Sequence, residues 1–317
     1  MRAACFIALV AAGLGLLACA PSAPAPPVEN GYELPRRTWL PDDAPPRAVI
    51  LAVHGFNDYS NAFDAFGSFA AEQGVAVHAY DQRGFGANSD AGRWPGVQAL
   101  VDDLVREREQ LIAQYPDTPV YLLGESMGAA VIIAAAAQDA PLGDDGIILS
   151  APAVWGGDQL NDFYRATLWV MVRIAPGLEL TGRGLKVMAS DNIEMLRALG
   201  ADPLFIKATR VDAIAGLVKL MDIAAASVDR LRGPLLVLGG ARDEIVPPGA
   251  HLAMLGRLRA EQCTEIVYPE GWHMLLRDLQ REVVWNDILA WIDQRAVPSE
   301  NAKACEGALT EVAAALP

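Results

Sequence analysis

Histidine and cysteine are scarce in this chain, with four of each in 317 residues. No ligand cluster with zinc spacing appears among them, and the chemistry that the motifs support requires neither a metal nor a cofactor. Basic residues are outnumbered, 25 lysines and arginines against 39 aspartates and glutamates, for a net charge of −14. An acidic surface without a long basic run repels phosphate backbones and anionic headgroups, which excludes nucleic acid as a bulk partner. It leaves a neutral or zwitterionic lipid open. Long apolar runs are missing too: Phe6 to Ala18 is too short and too early for a transmembrane helix. There is no internal repeat. Gly84-Phe85-Gly86 lacks the continuation of a dinucleotide-binding turn, since position 89 is serine. What is present is 52% hydrophobic and 20% charged. That suffices for one large α/β domain with an insertion, or for two small domains.

The N-terminus reads as a targeting segment, 1–18, with Arg2 at its positive end and the apolar run behind it. The run ends Leu16-Leu17-Ala18-Cys19, which resembles the lipobox of bacterial lipoproteins. That resemblance implies that Cys19 is lipidated and becomes the first mature residue; an ordinary secretory signal with a chance cysteine is the alternative. Residue 20 is alanine rather than aspartate, which by the same resemblance favours the outer membrane, facing the periplasm. More than one acyl chain gives a stable anchor. Residues 19–31 continue as a Pro/Ala-rich tether (Ala20 to Pro27 reads APSAPAPP). Extended like polyproline, residues 20–31 reach about 35 Å. Cys263 and Cys305 remain as a pair in an exporting context, where a disulfide between the tail and the last strand is permitted and two free thiols are the alternative.

From residue 32 onward, strands and helices alternate. Ala48 to Val53, Val75 to Tyr80, Pro119 to Leu123, Ile147 to Leu149, Leu235 to Leu238 and Glu265 to Tyr268 are short apolar runs of buried-strand type. Helical patterns lie between them over 60–73, 97–114, 127–137, 248–259 and 280–295. The fold class is therefore α/β: a mostly parallel central sheet with helices on both faces, formed by residues 32–151 and 232–296. Residues 152–231 contain no convincing strand and read as a helical cap inserted over the sheet. Residues 297–317 form a tail with one short helix expected around Ala304 to Ala315.

The chemistry centres on Gly124-Glu125-Ser126-Met127-Gly128, a G-x-S-x-G pentapeptide that a strand enters and an alanine-rich helix leaves. Such an elbow holds its serine in a strained conformation, and flanking glycines let strand and helix approach closely. A serine hydroxyl is a weak nucleophile and needs a base. His273 follows the last strand at the carboxyl edge of the sheet and is the candidate; His78 and His251 read as packing or surface residues. The chain order serine, acid, histidine points to Asp243 after the fifth strand, with Glu244 as runner-up. Oxyanion donors are expected from the backbone N–H groups of Met127 and Phe56, with His54 and Gly55 shaping the latter's loop.

His54-Gly55-Phe56, Asp81-Gln82-Arg83-Gly84-Phe85-Gly86, GESMG, the Asp243 loop and Gly271-Trp272-His273 together resemble the α/β-hydrolase fold. More narrowly they are similar to the monoacylglycerol lipase and lysophospholipase branch, also called serine aminopeptidase S33-like or hydrolase-4, over about residues 32–296. The resemblance implies a serine hydrolase of carboxylic esters acting on monoacylglycerols or lysophospholipids through an acyl-enzyme on Ser126. Small-ester, thioester and peptide hydrolysis are alternatives within the fold, and a non-catalytic lipid-binding envelope lipoprotein is one outside it. Partners are then an ester or lipid substrate and, through Cys19, a membrane; protein partners are unassigned. Glu125 departs from the branch, which often has histidine there. The apolar cap segment Ala166 to Ala175 is a candidate lining for an acyl channel.

Overall fold

The computed structural model describes residues 32–42, 44–142, 145–157, 161–182, 187–258, 263–294 and 297–305. The targeting segment, Cys19 and the tether lie outside the described residues. Eight strands form one sheet: β1 (Arg36–Trp39), β2 (Ala48–Val53), β3 (Val75–Tyr80), β4 (Val120–Glu125), β5 (Ile147–Ser150), β8 (Leu235–Gly240), β9 (Cys263–Tyr268) and β10 (Ala302–Ala304). Their spatial order is β1-β3-β2-β4-β5-β8-β9-β10. The six inner strands run parallel, and β1 and β10 pair antiparallel at the two edges. The two edge strands are absent from the sequence reading. Arg36-Arg37-Thr38-Trp39 is largely exposed and carries no apolar run, so its sheet pairing leaves no trace in hydropathy. β10 meets the expected helix of Ala304 to Ala315 only at Ala304, and the rest of that expectation, from residue 306 onward, lies outside the described residues.

Strand side chains alternate between two cores, as the two-residue period requires. Val49, Leu51 and Val53 face helices α2 (Val97–Gln114) and α3 (Met127–Ala137). Ile50 and its neighbours Ala48 and Ala52 face α1 (Asp64–Glu72) and α8 (Arg281–Gln294). α3 is buried along nearly its whole length, which its small apolar residues allow: it lies on the sheet on one side and carries a cap helix on the other.

Between β5 and β8 the chain leaves the sheet as α4 (Asp162–Ile174), β6 (Glu179–Thr181), α5 (Ile193–Ala201), β7 (Ala208–Arg210) and α6 (Val211–Ser227). The insertion is not wholly helical: β6 and β7 pair as a small antiparallel sheet. Three-residue strands carry too little pattern to be read from sequence. α6 packs on α3, and α4 packs on α6 from outside. The remaining helix, α7 (Pro248–Leu255), begins with proline in its first turn, where the missing N–H costs nothing. Cys263 and Cys305 are joined by a disulfide, so the residue after β10 is tied to the start of β9. Among the described residues no helix is long and apolar enough to cross a membrane.

Candidate active site

β4 ends at Glu125 and α3 begins at Met127, so Ser126 turns the chain alone, at φ 53° and ψ −110°. A side-chain-bearing residue seldom adopts that conformation, and here its surroundings hold it. The Ser126 N–H donates to the Ser150 carbonyl at 2.9 Å, and its own carbonyl accepts from Ala130 and Ala153. The flanking glycines are sterically required. A Cβ on Gly128 would lie 2.0 Å from the Val53 carbonyl oxygen, and one on Gly124 2.5 Å from the Ala129 nitrogen.

His273 Nε2 lies 3.0 Å from Ser126 Oγ, and His273 Nδ1 lies 2.8 Å from Asp243 Oδ2. The other Asp243 oxygen accepts from the N–H groups of Ile245 and Val246, which aims the carboxylate at the imidazole. Glu244 points elsewhere and accepts from the Met188 N–H. Of the two candidate acids, Asp243 is the one whose carboxylate meets the His273 imidazole. Burial alone would depress the basicity of His273. The Asp243 charge and hydrogen bond, with Glu125 behind them, outweigh burial and raise its pKa above the ordinary value. Burial likewise opposes ionisation of Asp243. The cationic form of His273 and the two backbone donors reverse that and lower its pKa.

The Met127 N–H opens α3 and so has no acceptor within the helix. Phe56 lies across the site, on the loop whose Gly55 would place a Cβ 3.5 Å from the Cβ of Ser126. His54 is fully buried beneath that loop. Its Nε2 accepts from the Gln82 N–H, its Nδ1 faces the Gly55 carbonyl at 2.8 Å, and its own carbonyl accepts from the Gln82 side chain. That pattern fixes a neutral Nδ1–H tautomer, and burial lowers its pKa. The DQRGFG loop therefore buttresses the Phe56 loop from below. His78 meets the Tyr115 hydroxyl and His251 meets Glu265, both away from the serine.

Ser126 and His273 line a cavity of about 240 Å³. The cap contributes Trp155, Phe205, and Ile214, Leu217, Val218 and Met221 of α6 to its apolar walls. None of Ala166 to Ala175 lines it. That expectation is corrected: α4 sits outside α6, burying Leu168 while Trp169 and Ile174 remain exposed. α6 was not singled out in the sequence, because sequence does not reveal which of two apolar helices faces the sheet. Two further residues escaped the sequence reading. Asp58 and Arg277 line the polar end of the cavity together with Glu125. Arg277 lies 2.7 Å from Asp58 and donates to Glu125 at 3.1 Å. Their signal was adjacency alone, Asp58 just past Phe56 and Arg277 one turn past His273. The cap is fastened to the same region. Asn57 accepts from the Ile206 N–H and donates to Thr209, and Tyr59 donates to Asp202 at 2.6 Å. The base loop is held as well, through the His273 and Met274 N–H groups on the Ala189 carbonyl. No group of three or more potential metal ligands occurs among the described residues.

Residues 44–280 match the family described as serine aminopeptidase, S33. The chain is 27% identical over 271 residues to a monoacylglycerol lipase of Mycolicibacterium smegmatis, covering 83% of this chain and 94% of that one. It is 26% identical over 273 residues to the monoglyceride lipase of Mus musculus, covering 84% and 88%. Among solved structures, that of the Paleococcus ferrophilus monoacylglycerol lipase superposes with a TM-score of 0.69 at 23% identity, over 84% of this chain and all of that one.

Proposed function

The chain belongs to the serine aminopeptidase S33 family, and from that membership we propose that it hydrolyses monoacylglycerols at Ser126. It is a serine hydrolase of carboxylic esters with an α/β-hydrolase fold. The observation that carries the substrate reading is the placement of the Ser126–His273–Asp243 array at the floor of a cavity whose cap walls are apolar. Relatives named as monoacylglycerol lipases support the same class.

In this reading His273 takes the Ser126 proton as Oγ attacks the ester carbonyl, and Asp243 stabilises the imidazolium. The oxyanion forms between the Met127 and Phe56 N–H groups; losing one such donor costs roughly 100- to 1,000-fold in rate. His273 returns the proton to the departing alcohol, then activates water to release the fatty acid. Lysophospholipids are the second candidate class. The enzyme works from an envelope anchor: the Leu16-Leu17-Ala18-Cys19 sequence and the tether behind it support lipidation at Cys19 and residence at the outer membrane, facing the periplasm.

A fluorophosphonate probe, followed by a panel of monoacylglycerols, lysophospholipids, short p-nitrophenyl esters and aminoacyl amides, tests the proposal. Labelling of the wild type that disappears in Ser126→Ala, with monoacylglycerol as the best substrate, is expected. Equal labelling of Ser126→Ala would remove Ser126 as the nucleophile, and no labelling at all would leave only a lipid-binding role; preference for an amide would refute the substrate.

A further inference from the structure

Three loops converge on the site, and one buried guanidinium from the third touches the other two. Arg277 stands four residues after His273. Its Nη1 lies 2.7 Å from Asp58 Oδ2, two residues beyond Phe56, and its Nη2 donates at 3.1 Å to Glu125 Oε2, immediately before Ser126. Asp58 and Glu125 are each 2% exposed and Arg277 9%. Cohesion alone does not call for this arrangement. Desolvating three charges is costly, and apolar side chains of the same volume often stabilise a core as well or better. What apolar side chains cannot supply is a planar fork that fixes two carboxylates at once.

We infer that Arg277 is a positioning residue: by bridging Asp58 and Glu125 it holds the oxyanion loop, the serine elbow and the base loop in one register, and fixes the Glu125 carboxylate within electrostatic reach of His273. The charges facing His273 are Asp243 and Glu125, which favour the imidazolium, and Arg277, which opposes it. Burial raises the pKa of Glu125, with Asp58 adding to it, while Arg277 and His273 favour the carboxylate; Asp278 of the base loop feels Glu125. The two bridged side chains thus divide the work. Arg277 sets geometry, and Glu125 in its ionised form favours the imidazolium that forms in the transition state. The glutamate of GESMG, which departs from the family's frequent histidine, acquires a role through this bridge.

The inference rests on Ser126 and His273 being nucleophile and base; probe labelling lost in Ser126→Ala checks that reading by itself. Two variants test the bridge by steady-state hydrolysis across pH. Arg277→Lys keeps the charge and loses the fork. Its kcat is expected to fall by about 10- to 100-fold with KM nearly constant, because displaced reacting groups cost turnover rather than binding. Glu125→Gln keeps the shape and removes the charge. His273 then loses a group that favours its protonated form, so the acid limb is expected to move to lower pH, which a purely structural role would not produce. Wild-type kcat in Arg277→Lys, or an unmoved limb in Glu125→Gln, overturns the inference. Should Arg277→Lys fail to fold, judged by circular dichroism and thermal unfolding, the limb in Glu125→Gln decides.

Discussion

Gly128 lies so close to the Val53 carbonyl that a single added carbon would sit 2.0 Å from that oxygen. β2 and α3 are thus in backbone contact directly behind the nucleophile. Gly128→Ala must push them apart, and the movement reaches both Ser126 and the loop after His54. We expect at least several kcal/mol of lost stability, on the order of other overpacked cores or more, together with lost probe labelling. Gly200→Ala is the control. Gly200 lies exposed in α5 with nothing within 4 Å of the new carbon, so it should gain up to about 1 kcal/mol of helix propensity. Urea unfolding of both variants checks the pair; a neutral Gly128→Ala would contradict the close contact.

Ser126→Ala and His273→Ala should each remove most turnover while leaving thermal unfolding near wild type. Because serine and imidazole act as one unit, the double variant should be scarcely worse than either single one. Additive losses, measured as kcat/KM on one ester, would mean that the two residues act independently.

Asp243→Asn should lower kcat by about 10⁴-fold, as loss of the orienting carboxylate does in related arrays, whereas Glu244→Gln should change it little. The pH profile carries a sign. Asp243 raises the pKa of His273, so the acid limb of kcat/KM, where the base loses its proton, should move to lower pH when the carboxylate is neutralised. A limb moving upward, or a larger loss in Glu244→Gln, would reverse the assignment.

The core of this fold was legible because its inner strands are continuous apolar runs. The Gly124–Gly128 elbow also advertises itself, since only a sharp turn needs two glycines around a serine. The edge strands were hidden for the opposite reason: Arg36 to Trp39 carries no apolar run and leaves most of its side-chain surface exposed, so its backbone pairing with β3 is invisible in hydropathy. Asp58 and Arg277 were hidden because an ion pair 219 positions apart in sequence has no local signature. The acyl-channel expectation failed on rotation and depth: α4 and α6 are both apolar, and only packing decides which one lines the cavity.

The Cys263–Cys305 bridge closes a loop of 42 residues that includes β9 and α8. In the chain-entropy model such a loop contributes about 4 kcal/mol. Cys305→Ser, or reduction of the wild type, should therefore lower the unfolding midpoint clearly while leaving ester hydrolysis intact under native conditions, since neither cysteine touches the cavity. Peptide masses compared with and without reductant check the bond; identical masses would remove it.

Cys19→Ser should move the protein from the membrane to the soluble fraction without altering its labelling by the probe. Unchanged fractionation would refute the lipid anchor and leave the hydrolase reading untouched.

Asn57 and Tyr59 give the fastening of the cap a wider meaning. Ile206, Thr209 and Asp202 of the insertion hang from the strand-to-helix loop that includes Phe56. The roof of the cavity and the loop proposed to receive the developing negative charge are therefore one mechanical piece. Lifting the insertion as a flap hinged where it leaves and rejoins the sheet would break these hydrogen bonds and pull on Asn57. A substitution in the cap chosen to admit a bulkier acyl chain is consequently also a perturbation of the step in which the ester breaks.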